Sequence, residues 1–142
     1  MTREIRLHNP PTLMKAAGFS HGAEARGGRM LFFAGQVAKD KDGQTVGPGD
    51  LVAQFRQVCE NLKTVVTAAG GGLSDVVKLT IYVLNYSPRD FAAIREAGAE
   101  FLPARNPPAG IVVGVQSLPM EGLLIAVDAT AVIRAMFQPR VR

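Results

Sequence analysis

Residues 51–69 constrain this chain more than any other stretch. Val52, Phe55, Val58, Cys59, Leu62, Val65 and Val66 recur at helical spacing. Asp50 precedes them as a natural N-cap, and Gly70-Gly71-Gly72 stops the pattern. The spacing predicts a helix over 51–69, with Gln54, Arg56, Glu60 and Lys63 on its polar side. Such a helix must lay its apolar stripe on another element, and the segments around it read as strands. Residues 75–84, "DVVKLTIYVL", are rich in β-branched side chains. Residues 30–37, "MLFFAGQV", are almost continuously apolar, as in a strand buried on both faces.

The remaining segments fill in around this unit. Residues 3–8, "REIRLH", alternate charged and apolar side chains, and "NPPT" then stops any regular element. Residues 19–26, "FSHGAEAR", form a weak second strand, and Gly27-Gly28 a tight turn. "KDKDGQTVGPGD" is a polar loop. In "NYSPRD", Ser87 suits an N-cap and Pro88 the first helical position. A second helix follows over 88–101, with Phe91, Ile94, Ala97 and Phe101 on one side. Strands are expected at 110–116 and 123–133, joined by the turn "SLPMEG". The order βββαβαββ, with no repeat or linker, implies one α+β domain over 1–142. Its mixed sheet carries both helices on one face. The other face stays partly apolar, and oligomerisation is the usual way to cover it.

Composition narrows the function. The net charge is +4, but three of the sixteen basic residues lie in the terminal "IRAMFQPRVR". With no dense basic run and no Trp, a nucleic-acid surface of stacked aromatics and cations is not expected. No apolar run approaches the ~20 residues of a membrane helix, and "MTREIRLHNPPTL" lacks a signal-peptide core. The lone Cys59 excludes an intrachain disulfide, and the expected compartment is the cytoplasm. Asp40, Asp42 and Gly43 lack the remaining spacing of a calcium loop, so no metal is expected, and no cofactor.

Five strings occur in a familiar order: "FSHG", "LFFAGQVAKDKDGQTVGPGD", "QVCENLKTVVTAAGGGLSDVVKLTIYVLN", "DFAAIREAGAEF" and "NPPAGIVVGVQSLP". In these the chain resembles the RidA (YjgF/YER057c/UK114) family over nearly its whole length. The resemblance implies a chorismate-mutase-like fold. It also implies a homotrimer whose sheets form a central barrel, with small-metabolite clefts between subunits. Active relatives hydrolyse enamines and imines to 2-oxo acids and ammonia. A divergent enamine/imine deaminase is therefore the first functional expectation. A trimer that binds a small metabolite without turnover is the second.

The site departs from the family pattern. Counting back from Leu118-Pro119, the carboxylate-binding arginine of the family falls on Gly110, after Pro108-Ala109. The tempting Pro103-Ala104-Arg105 string lies five residues too early. The family tyrosine becomes Phe19, and the water-positioning glutamate becomes Ala126, two residues before Asp128. The common asparagine of the second helix becomes Arg95. Gly35 is retained, where a missing side chain lets a ligand approach the backbone. Candidate binding residues are thus Phe19, Gly35, Arg95, Arg105, Gly110, Val112 and Ala126. Gly110 is expected to widen the cleft, with Ile111 and Val112 making it apolar.

Each candidate has a plainer alternative. Arg95 either faces the cleft as a substitute cation or pairs on the surface with Asp90 or Glu96. Arg105 either folds over the cleft or is a solvated loop charge. His21 shares a strand face with Phe19 and is the one candidate general acid or base. His8 reads as an exposed strand residue, and Cys59 as a packing thiol.

Overall fold

The computed structural model describes residues 2–135, so the basic Arg140 and Arg142 lie outside the described residues. The strands are β1 (Glu4–His8), β2 (Gly22–Arg26), β3 (Arg29–Phe32), β4 (Gln36–Val37), β5 (Val76–Leu84), β6 (Ala109–Val115) and β7 (Ile125–Ile133). The helices are α1 (Leu51–Ala68) and α2 (Asp90–Gly98), with a single 3-10 turn at Leu73–Asp75.

The main sheet runs β3-β7-β5-β6, with β4 also paired to β7. It is mixed: β5 is parallel to β6 and antiparallel to β7. The α+β class, the mixed sheet and the helix positions follow the expected pattern, with two differences. First, β1 and β2 pair only with each other, as a separate antiparallel hairpin. An ion pair of Arg3 with Asp75, and a bond from Arg3 to the Val132 carbonyl, fasten its start to the main sheet. Second, the expected strand over 30–37 is broken. Phe32 pairs with Thr130 and Gln36 with Val127, so four steps along one strand oppose three along the other. One extra residue makes a bulge, which turns Phe33 into the core.

Helix α1 starts where Asp50 accepts the Ala53 N–H at 3.0 Å. It ends where the Gly70 and Gly71 N–H groups bond the Thr67 and Val66 carbonyls. Gly70 does this at φ +87°, which glycine adopts freely. Phe55, Val58, Cys59, Leu62 and Val66 are buried as expected. Gln54, expected on the polar side, is instead wholly buried. Its amide donates to the Gly47 and Gly122 carbonyls, and its oxygen accepts the Leu124 N–H at 2.8 Å. Helix α2 starts two residues later than expected. Ser87 is not its cap; instead the Asp90 carboxylate accepts the Ser87 N–H at 3.0 Å.

Both helices pack on one sheet face, where Leu79, Ile81, Val83, Val127 and Ile133 join their buried residues in one core. The opposite face is open. It presents Met30 (63% exposed), Phe32 (71%) and Ile111 (57%). Between them lie Tyr82 and Asp128, whose side chains approach to 3.5 Å.

Candidate functional site

Residues 17–21 reach the sheet by a specific route. Gly18 turns the chain at φ +79°. Ser20 then runs parallel to Ala109, its N–H on the Pro108 carbonyl at 3.1 Å and its hydroxyl on the Pro107 carbonyl at 2.6 Å. This holds Phe19 beside the start of β6. The proline-rich stretch before β6 lacks N–H groups at Pro107 and Pro108, so its carbonyls are left to accept from Ser20.

A cavity of about 290 Å³ opens between this segment, α2 and the β5–β6 pair. Of the candidate residues, Phe19, Arg95, Gly110 and Val112 line it. Gly110 and Val112 register with Leu79 and Ile81, so they face the helix side. A Cβ at Gly110 would sit 2.7 Å from the Leu79 carbonyl oxygen. The neighbouring strand therefore leaves no room there for a side chain. Arg95 is exposed at the rim, its guanidinium stem lying over Gly18, where a Cβ would come within 3.1 Å of Nε. Among the described residues it forms no ion pair with Asp90, Glu96 or any other carboxylate. The surface pairing considered for it is absent there.

The other candidates lie elsewhere. Arg105 is exposed in its loop and does not line the cavity, which fits the solvated loop charge. Gly35 is exposed beside the β4 edge, and a Cβ added to it would meet nothing within 4 Å. Ala126 pairs with Val37 of β4 and Tyr82 of β5, so it belongs to the open face. Gly110 and Ala126 thus occupy opposite faces of one sheet and cannot meet within one chain.

His21 does stack edge-on against Phe19, with ring centroids 5.3 Å apart. It does not line the apolar cavity. It borders a separate polar recess with Asn9, Lys15 and Asn106, and its Nε2 donates to the Met14 carbonyl at 2.8 Å. Phe19 borders both spaces. His8 is bonded to Glu24 at 2.9 Å. Cys59 is buried, and burial pushes its thiol up to about 12, so it is no nucleophile near neutrality. Asp40, of the loop considered for calcium, uses one carboxylate oxygen to accept the Asp42 and Gln44 N–H groups.

Several cavity residues escaped the sequence reading. Phe55 and Ile94 read only as helix core, while Gly98 and Leu102 drew no attention; all four line the cavity. Gly98 had a signal: glycine inside a helix costs about 1 kcal/mol relative to alanine, and it sits among good helix formers.

The Endoribonuclease L-PSP family model matches residues 11–133. The chain belongs to the RidA family. A RutC family protein of Pyrococcus horikoshii is 39% identical over 75% of this chain and 81% of that protein. Protein DfrA of Myxococcus xanthus is 37% identical over 83% of this chain and 88% of that one. Among solved structures, the Rid family protein YyfB of Yersinia pestis superposes with a TM-score of 0.85. It is 44% identical, covering 91% of this chain and 98% of its own. RidA of an Antarctic Psychrobacter superposes at 0.67, with 28% identity over 84% of this chain and 91% of that one. Among the described residues, no helix is long and apolar enough to cross a membrane.

Proposed function

We propose that this chain is a divergent enamine/imine deaminase of the RidA family, assembled as a homotrimer with its ligand cleft between subunits. The observation that carries the reading is the split site. Phe19, Arg95, Gly110 and Val112 surround a cavity on the helix side, while Gly35 and Ala126 lie apart, near β4. A second copy docking its β4 edge over the cavity would join the two halves. The reaction adds water across C=N and expels ammonia, leaving a 2-oxo acid. An imine protonated at nitrogen is already electrophilic. What the site then supplies is a carboxylate anchor, through Arg95, and an apolar wall that orients the C=N carbon.

A second reading, metabolite binding without turnover, is favoured by one fact. Among the described residues, Arg95 is the sole titratable side chain lining the cavity, so within one chain no proton donor or base faces the ligand. RNA cleavage, the activity in the family description, draws no support from an apolar cavity with a single rim cation.

The deciding measurement is hydrolysis of freshly generated 2-aminoacrylate, followed by coupled detection of pyruvate. Turnover above the uncatalysed rate, yet well below that of a relative bearing Arg and Glu at positions 110 and 126, is the expected result. No acceleration for any imine would leave the binding reading.

A further inference from the structure

The floor of the cavity says more about its occupant than the rim does. It is made by Phe55, Leu79, Ile81 and Ile94, all buried members of the core. No polar side chain stands among them. A water molecule placed there would lack the two to four polar partners it needs. A dry cavity of ~150 Å³ lined by Leu, Ile and Phe admits one benzene ring. The space here is about 290 Å³, enough for a ring and a three-carbon acid. Gly98 lines it without a side chain; a Cβ there would meet the Phe55 ring at 3.4 Å, an ordinary contact, so only a larger side chain would fill the space. On its sheet side Gly110 contributes backbone and no side chain, since a Cβ there would stand 2.7 Å from the Leu79 carbonyl oxygen.

Resting on the placement of the ligand in this cavity, we propose that the site selects 2-oxo or 2-imino acids with an aryl or comparably large apolar body. The body inserts between α2 and the β5–β6 pair, and the carboxylate stays at the rim on Arg95. Gly98 is the specificity-determining residue, because a larger side chain there would fill the space the body enters. A short aliphatic acid such as the four-carbon 2-oxobutyrate reaches the rim cation but leaves the apolar floor uncovered, so it forfeits most of the available burial.

The test is calorimetric titration of the assembled protein with phenylpyruvate, 3-phenylpropionate, 2-oxobutyrate and 2-phenylethanol. Wild type is expected to bind both aryl acids at least tenfold more tightly than 2-oxobutyrate, and 2-phenylethanol more weakly than either aryl acid. Gly98→Leu should abolish the aryl advantage, bringing the affinity for phenylpyruvate down to that for 2-oxobutyrate. Arg95→Gln should weaken the acids but not the alcohol. Should Gly98→Leu fail to fold, Gly98→Val serves with a phenyl and a 2-naphthyl acid, the larger ring losing more affinity. Equal affinity for 2-oxobutyrate and phenylpyruvate, or no binding of either aryl acid, overturns the proposal. These outcomes are separable from the catalytic reading. Aryl binding without imine hydrolysis upholds the ligand class and defeats the enzyme; hydrolysis of small imines without aryl binding does the reverse.

Discussion

Gln54 shows how one polar side chain can hold two distant loops. Its amide group is saturated by the Gly47 and Gly122 carbonyls and the Leu124 N–H, at positions far apart in sequence. Gln54→Leu keeps most of the volume but removes three part-buried hydrogen bonds. The Gly47 carbonyl still accepts the Asp50 N–H and Gly122 is exposed to water, so the half-buried Leu124 N–H is the group left without a partner. An orphaned group costs about 1–3 kcal/mol, so a loss of about 2 kcal/mol is predicted. For a chain of this size that is a drop of roughly 6 °C in Tm by calorimetry. Lys63→Ala, on the exposed side of α1, should stay within about 0.5 kcal/mol of wild type. Equal losses for the two variants would mean that the Gln54 bonds contribute nothing.

At the scale of elements, α1 is joined to the turn that follows α2 by Arg56 and Glu100, bonded at 2.9 and 3.0 Å. The Arg56 guanidinium holds the Glu100 carboxyl below the usual carboxylate range. A carboxyl depressed in the folded state contributes stability above its unfolded pKa and loses it as pH falls through the lower, folded value. Both side chains are about half exposed, so the contribution is small and screened by salt. The expected outcome concerns urea midpoints at low ionic strength. Wild type should exceed Glu100→Gln at pH 6, and the gap should close as the pH falls through the lowered, folded value of the carboxyl. A gap that persists at acid pH would point to lost packing rather than charge.

At the scale of the whole molecule, the open sheet face sets the expectation. Met30 and Phe32 stand 63% and 71% exposed on the edge strand β3, and Ile111 57% exposed on the opposite edge. Large apolar side chains spread over one sheet face mark a contact surface. Light scattering at micromolar concentration should report a trimer. Phe32→Asp combined with Met30→Lys should yield a monomer with an unchanged far-ultraviolet spectrum, and with weaker ligand binding if the second half of the site comes from a neighbour. A monomeric wild type would remove the intersubunit cleft altogether.

Local patterning alone determined most of the elements. The α1 stripe, the Asp50 cap and the Gly70 stop depend on spacing and backbone preference within a few residues, so they were legible. The β-branched run of β5 and the family strings were legible for the same reason, and with them the α+β class. The β3–β4 bulge was not, because an apolar run reads the same whether or not one residue slips out of register. Nor was the burial of Gln54, which depends on carbonyls of two loops brought to it by the fold. The site divided along the same line. Sequence spacing marked Gly110 and Ala126 as departures, but their opposite faces follow from pairing with β5 and β7. It also could not say that a Cβ at Gly110 would meet the Leu79 carbonyl oxygen, or that Phe55 and Ile94 meet Leu79 and Ile81 to form the cavity floor. Those contacts join residues far apart in the chain, and only the packed sheet and helices decide which of them meet.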